Sequence, residues 1–573
     1  KARTINPKAV VIRAAPDSNR QFLFWACFAA LITTAFGFIV RALVIGEWEA
    51  DYELTETQKG EIFGVGLWPF AISIILFSFV IDRIGYGTAM VFAFACHLLS
   101  GLVTIFAPEY FFEKNGPEGA YWALYAGNFI VALGNGAVEA VINPVVATIF
   151  AKQKTKWLSI LHAGWPGGLV LGGIIVLGMD ALLGTAAADG VEGTPAPWEW
   201  KVALIFLPLA LYGVMMLFCK FPVSERVAAG VSDRDMLREL GFGGAYIASA
   251  LMSLELFRVF GIYDLLASAG MELGDAGKVA VALAFAVIPA AAFGAAIGWA
   301  FGNKLLVFLL LVMCPLATTE LGTDSWIADI MTPVVNAAFD TTVGGGLVLI
   351  YTSFIMMVLR FFAGPIVHSI SPLGLLAASS AVAAVGLAML AGADTAAIVF
   401  VAATVYGFGK SFFWPTMLGV VAEQAPRGGA LTLNVTGGVG MLAVGTVGAV
   451  FTGYFSEVNS ADALLESQPA VHEQVVTEST WVFGSLDSID PKIADKLPAD
   501  EKAAVSQAKD EGKQAALMDV ALFPVLMLIA YIGLILYFRS KGGYAAVELT
   551  EGHSGPVTER DEELGGAVPG PVR

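Results

Sequence analysis

Charge is what this sequence has least of: only 14% of its 573 residues are Asp, Glu, Lys or Arg, against 57% hydrophobic. A soluble globular protein carries about 25% charged residues, so this composition excludes most soluble enzymes and places the chain in lipid. Lysine and arginine are the scarcer sign, 32 against 49 acidic residues, and a net charge of -17 repels nucleic acid. Only four cysteines are present, Cys27, Cys96, Cys219 and Cys314. All lie in apolar runs without CxxC spacing or a neighbouring histidine set, so they read as packing residues rather than a disulfide or metal framework. The phosphate-cradling loop Gly-x-x-x-x-Gly-Lys-Ser/Thr is also missing, since Gly409-Lys410-Ser411 lies in an apolar run with Thr404 at the first glycine, which argues against ATP drive. No span carries HExxH, paired aspartates at catalytic spacing or a nucleophile with its base, so no enzyme, metal site or cofactor is expected.

What is abundant is the long apolar run. A lipid-crossing helix needs roughly 20 apolar residues, because every backbone polar group must be satisfied inside the segment. Such runs fall near 21–46, 60–81, 88–107, 121–150, 157–183 and 201–219, then 243–266 and 279–301, and then 305–328, 345–364, 373–391, 397–421, 429–455 and 517–538. The expected fold is therefore all-α and polytopic, with about fourteen transmembrane helices. Lys1, Arg3, Lys8, Arg13 and Arg20, then Arg83, Lys152, Lys154, Lys156, Lys220, Arg226, Arg234, Arg238, Lys304, Arg427, Arg539 and Lys541 mark the cytoplasmic ends, while Glu47, Glu49, Asp51, Glu53, Glu192 and Glu199 face outside. Run 243–266 is interrupted by Glu255, Arg258 and Asp264 and has an interfacial amphipathic helix as its alternative. Removing it alone would put Arg427 and Lys541 outside, so it is kept, with 279–301, as a hairpin between two halves.

The expected organisation is a cytoplasmic leader over 1–20 without a cleavable signal, a six-helix bundle over 21–220, a two-helix linker over 221–302, a second six-helix bundle over 303–542 and a flexible cytoplasmic tail over 543–573. The second bundle includes a polar external loop over 456–516, for which a small helical cap and disorder both remain open. Counting spans without the hairpin, span four carries Gly136-Ala137-Val138-Glu139-Ala140-Val141-Ile142-Asn143-Pro144, and span ten carries Gly407-Phe408-Gly409-Lys410-Ser411-Phe412-Phe413-Trp414-Pro415. Glycine, charge and proline coincide. Leu161-His162 in span five matches Leu433-Asn434 in span eleven, and the turn Ile81-Asp82-Arg83-Ile84-Gly85 has a degenerate counterpart in Val367-His368-Ser369-Ile370-Ser371. Two pseudo-symmetric halves follow, with a site at the midplane between them.

These residues resemble the major facilitator superfamily. Its turn motif Gly-x-x-x-Asp-Arg-x-Gly followed by basic residues is matched by Asp82-Arg83-Ile84-Gly85, with Ser78 at the first glycine and Tyr86 and Gly87 in place of the basic pair. Glu139-x-x-x-Asn143-Pro144 and Glu320-Leu321-Gly322-Thr323-Asp324-Ser325-Trp326-Ile327 resemble the fucose and glucose permease branch of sugar porters; the acidic residue of that branch's first helix is not found, and Arg41 stands in the corresponding region. The extra hairpin resembles the fourteen-helix plan of proton-dependent oligopeptide transporters, without their glutamate-rich first-helix motif. The resemblance implies paired bundles that move a solute by alternating access.

Ionisable groups inside a membrane are costly and usually face protein, water or a partner. Arg41, Glu139, Glu320, Arg360 and Lys410 qualify. Glu139 and Lys410 match across the repeat and are expected on opposite sides of a central cavity, either reading substrate charge and proton state or forming a fixed ion pair. Helical spacing places Asn143 with Glu139, Trp414 with Lys410 and Trp165 with His162. Amides, an imidazole and indoles suit a polyhydroxylated ligand, Asn434 included, with helix packing as the alternative. Glu320, Asp324 and Trp326 are expected at the external end of span seven, as a gate, a coupling site or a solvated helix end. Arg360 is expected near the cytoplasmic side, bracing an inner gate or approaching an anion. Asp82 and Arg83 suit gating, by bridging helices in one state and releasing them in the other. Gly164, Gly167, Gly168, Gly172 and Gly173, mirrored by Gly437, Gly438 and Gly440, permit close helix contact that either slides or stays fixed.

The function expected from these readings is secondary transport of a small polar solute, a sugar or related metabolite, driven by a proton gradient across a bacterial-type inner membrane. Organic or inorganic anions are the alternative cargo, recognised by Arg41, Arg360 and Lys410. A non-transporting receptor that docks an external protein through 456–516 is the rival class. The partners expected are the bilayer and a small molecule.

Overall fold

A computed structural model describes residues 17–185, 194–339, 344–481 and 484–549. The leader lysines and arginines up to Arg13, Glu192 and the tail beyond residue 549 lie outside the described residues. Among the described residues, fourteen helices are long and apolar enough to cross a membrane: α1 Asn19–Tyr52, α2 Gln58–Ile84, α3 Tyr86–Asn115, α4 Pro117–Ile149, α5 Ala151–Leu183, α6 Trp198–Leu217, α7 Asp233–Val259, α8 Asp275–Ile297, α9 Lys304–Phe339, α10 Gly344–Phe361, α11 Pro372–Ala391, α12 Ala396–Gln424, α13 Ala430–Ser467 and α14 Ala499–Ser540. The expected all-α polytopic fold is therefore observed; of the run 243–266, residues up to Val259 belong to a membrane-length helix that begins at Asp233, and after a break at Gly261 the rest lies in a separate short helix, Ile262–Ser268. Large apolar side chains such as Val91, Phe106, Leu207, Leu217, Ile288 and Ile529 remain exposed, as they must on a belt whose solvent is hydrocarbon.

Helix pairing repeats between the halves. In the first, α1 packs on α5, α4 on both α2 and α3, and α3 on α6; in the second, α9 packs on α13, α12 on both α10 and α11, and α11 on α14. The halves meet where α2 and α4 face α13 and where α5 faces α10 and α12. Small residues make that approach close: a Cβ built on Gly438 would lie 2.6 Å from Ile75, and one on Gly173 would lie 2.7 Å from Ile350. The helices α7 and α8 pair with each other, and α7 leans on α9 and α13. Where the start of α7 meets the chain after α8, they are stitched by Phe242 N–H to the Ala300 carbonyl (2.8 Å) and Gly243 N–H to the Phe301 carbonyl (2.9 Å). Gly241 allows this stitch, since it adopts φ 66° and a Cβ there would sit 2.1 Å from the Gly302 nitrogen.

Several helices outrun their apolar cores. Beyond the expected ends, α9 continues to Phe339 and α13 to Ser467, and α14 starts at Ala499 rather than near 517, because these polar extensions pack on one another outside the bundle. Between α13 and α14 the chain forms a short helix, Pro469–Val475, an antiparallel hairpin of β1 Val476–Trp481 and β2 Gly484–Ile489, and a further turn of helix, Pro491–Ala494. Leu464, Val471, Val475, Ile489, Ala494, Val505 and Ala508 give this region its own small core. We call this the cap end and the end carrying Arg83, Lys154 and Arg226 the basic end.

Candidate functional site

Two adjoining cavities lie between the halves. One is lined by Phe70, Ile74, Glu139, His162, Trp165, Glu320, Leu321, Arg360, Trp414 and Met441. The other, on its cap side, shares Phe70, Trp165, Leu321 and Met441 and adds Asn135 and Asp324 among others. Together they form one chamber, with walls from both halves.

Helix breaks set its polar groups. Proline has no N–H, so the carbonyl four residues before it loses its helical donor. Pro144, Pro166 and Pro415 free in this way the carbonyls of Ala140, His162 and Ser411. Each is taken up by a side chain: Asn434 donates Nδ2–H to Ala140 (3.2 Å), and Arg360 donates Nη1–H to His162 (2.8 Å) and Nε–H to Ser411 (2.6 Å). The third arm of Arg360 meets Glu320 at 2.5 Å, and the second oxygen of Glu320 accepts the Trp414 N–H at 2.9 Å. Glu320 is aimed there by a π-helical turn, Thr318–Gly322, which packs against a matching π turn, Val444–Gly448, in α13. On the facing wall, Asn143 donates to Glu139 at 2.6 Å and its amide oxygen pairs with His162 Nε2 at 2.8 Å. A carboxyl, an amide and an imidazole thus form one chain along the chamber wall. Among the described residues no cation pairs with Glu139, which is buried.

The structure gathers Glu139, Asn143, His162, Trp165, Glu320, Arg360 and Trp414 at or against the chamber, and it relocates others. Lys410 is not opposite Glu139 across the cavity: it is fully buried inside the second half, ion-paired with Asp324 and 5.0 Å from the Tyr406 ring centre. Nor do Lys410 and Trp414 share a face, because α12 breaks between Lys410 and Phe413. Glu320 and Asp324 are not at an external helix end; α9 runs on to Phe339, so both sit near its middle. Arg360, at the end of α10, reaches back to the chamber rather than to a solvated gate. Arg41 lines neither cavity and turns into the first half, near His97, which is held by Tyr212 (3.0 Å) and Asn135 (2.9 Å). Trp326 packs on the core outside the chamber. Asn434 lies toward the basic end of it.

At the basic end, Asp82 accepts from Arg226 Nε (3.1 Å) and Nη2 (2.6 Å), Arg226 also reaches Asp233 (3.1 Å), and Arg83 meets Asp233 at 2.8 Å. Arg226 was legible only as part of a basic loop; its burial was not. Nearby, Lys154 joins Glu225 (2.7 Å) and the Ala422 carbonyl (3.2 Å), and Thr155 donates to Glu423 (2.6 Å), so the halves are tied together at this end.

A family model described as Major Facilitator Superfamily matches residues 23–451. No curated protein matches the chain by sequence. Solved structures share the fold: the fucose:proton symporter FucP of E. coli at TM-score 0.53 and 13% identity, over 90% of this chain and 99% of that one; the proton:xylose symporter XylE of E. coli, bound to 6-bromo-6-deoxy-D-glucose, at 0.57 and 13%, over 91% and 96%; and a human organic anion transporter at 0.54 and 12%, over 89% and 99%. Identities this low establish a common fold and no more.

Proposed function

Because the chain belongs to the Major Facilitator Superfamily, we propose that it is a proton-coupled secondary transporter of a small neutral hydroxylated solute, a sugar or related metabolite, working by alternating access. In this reading it sits in a bacterial-type inner membrane with its basic end and termini in the cytoplasm. The observation that carries the cargo assignment is the chamber's charge state: Arg360 is already neutralised by Glu320, Lys410 by Asp324, and Arg41 points elsewhere. An anion would therefore meet no uncommitted cation from that set. What faces the cavity instead is a pair of indoles, Trp165 and Trp414, which suit the C–H faces of a sugar, with His162 and Glu139 to exchange hydrogen bonds.

Glu139 is the proton site in this proposal, since its charge can change without breaking an ion pair. Its neighbours Asn143 and His162 extend the hydrogen-bond path along the wall. Asp82 and Arg83, through Arg226 and Asp233, brace the basic end while the cap end admits solute. Proteoliposome uptake of a sugar panel and an anion panel, with and without a pH gradient and alongside Glu139→Gln, tests the whole reading. Gradient-driven accumulation of a sugar that is lost in Glu139→Gln supports it. Saturable anion uptake that ignores every sugar removes the cargo assignment, and unchanged accumulation in the variant removes Glu139. Partner capture through the cap without solute flux would favour a receptor instead; deletion of 469–494 then abolishes capture.

A further inference from the structure

The proline-freed carbonyls are not treated alike by the two halves. That of Ser411, in the second half, is satisfied by Arg360 of the same half. Those of Ala140 and His162, both in the first half, are satisfied from the second, by Asn434 and Arg360. Resting on the alternating-access reading above, we propose that Asn434 is a state-selecting residue. Its bond to the Ala140 carbonyl latches the halves together on the basic side of the chamber, and breaking it belongs to the switch of access.

The geometry leaves little room for a packing role. Because a carbonyl oxygen only accepts, the atom of Asn434 facing Ala140 must be the amide nitrogen. The other amide atom, Oδ1, is buried without a partner, on a side chain that is 1% exposed. A leucine of similar size would fill this place without an orphaned acceptor, so the amide is costly for packing and useful only for its donor. Pro144 explains why a donor is required there at all. When the basic end is closed, as here, the Ala140 carbonyl has no helical donor and Asn434 supplies one. When the halves part at this level, water entering the opening reaches the same carbonyl, and Asn434 is no longer needed. Removing the donor therefore penalises the closed basic end alone. Restoring a helical N–H at position 144 satisfies the carbonyl in both states and cancels the dependence on Asn434.

Spin labels on Gln153 and Ser371, exposed residues at the basic ends of opposite halves, report this in nanodiscs with the native cysteines replaced. Asn434→Leu is expected to raise the ratio of basic-end-open to closed protein by about threefold to fivefold, less than the full effect of one orphaned buried carbonyl because the orphaned Oδ1 leaves with the side chain. Asn434→Ala, smaller and likewise without the donor, is expected to shift it in the same direction and carries the comparison if the leucine variant does not fold. Pro144→Ala combined with either should return the ratio to within about twofold of Pro144→Ala alone. Unshifted distances in both Asn434 variants, or a shift that Pro144→Ala leaves intact, overturn the latch. A parent protein with one fixed distance and no solute flux would instead count against transport itself.

Discussion

Replacing Arg360 with leucine should cost this protein most of its stability, and the structure says how much of the loss can be recovered. The side chain is 1% exposed and closes three contacts: the Glu320 carboxylate, the Ser411 carbonyl and the His162 carbonyl. Breaking a buried ion pair by removing one member costs about 3–5 kcal/mol, because the remaining charge stays buried. Each abandoned carbonyl adds roughly 1–3 kcal/mol. The single variant therefore loses about 5–11 kcal/mol, comparable to the whole stability of a typical folded domain, about 5–15 kcal/mol. Glu320→Gln with Arg360→Leu removes the stranded charge while keeping an acceptor for the Trp414 N–H, so the pair should be more stable than Arg360→Leu alone by roughly 3 kcal/mol. Thermal and denaturant unfolding in detergent measures both. An Arg360→Leu protein within about 1 kcal/mol of the parent, or a double variant no more stable than the single, would refute the hub assigned to Arg360.

Lys410→Met should likewise destabilise strongly and be partly rescued by Asp324→Asn, without a specific loss of solute affinity, since neither side chain of the pair depends on cargo for a partner; unchanged stability with lost binding would contradict this. Trp165→Ala and Trp414→Ala should each weaken binding of the transported sugar by about tenfold in equilibrium titration, the scale of one aromatic contact surface; full affinity in both would remove them from the site. Arg226→Met releases Asp82 and leaves Asp233 with Arg83 alone, and should lower turnover while leaving the solute Kd unchanged, so a selective rise in Kd would argue against a gating role. Gly438→Leu forces a side chain against Ile75 and should prevent close approach of α2 and α13, seen as an altered label distance between the halves.

Much of this was legible because lipid leaves so few options. Apolar length fixed the helix count, and the Gly–charge–Pro coincidence at Glu139 and Lys410 exposed the repeat. Glu139, Asn143 and His162 could be found because i, i+4 spacing and the repeat bring them onto neighbouring walls. Depth was the harder quantity. Glu320 and Asp324 looked terminal because the apolar stretch ends soon after them, whereas α9 continues as a polar helix that packs on the cap end. Lys410 kept its place in the repeat but not its partner, since the break after it turns the lysine toward Asp324 and the indole of Trp414 toward the cavity. Arg41 was placed by its rarity alone, and rarity does not say which face of α1 it occupies. The role of Arg360 did have a signal in the sequence: Pro166 and Pro415 each announce a carbonyl in need of a donor.

The central claim is that solute passes through the chamber by alternate opening of its two ends, and a reversible lock across the basic end tests it most directly. A Cβ on Gly419 would lie 2.9 Å from that of Thr155, closer than the about 3.5–4.5 Å of a disulfide, so a Thr155→Cys, Gly419→Cys pair joins α12 to α5 across the halves once oxidised, after a small outward shift of the two segments. In proteoliposomes oxidation should stop uptake, the locked protein should still bind solute from the cap side, and reduction should restore flux. Undiminished uptake by fully cross-linked protein would contradict it.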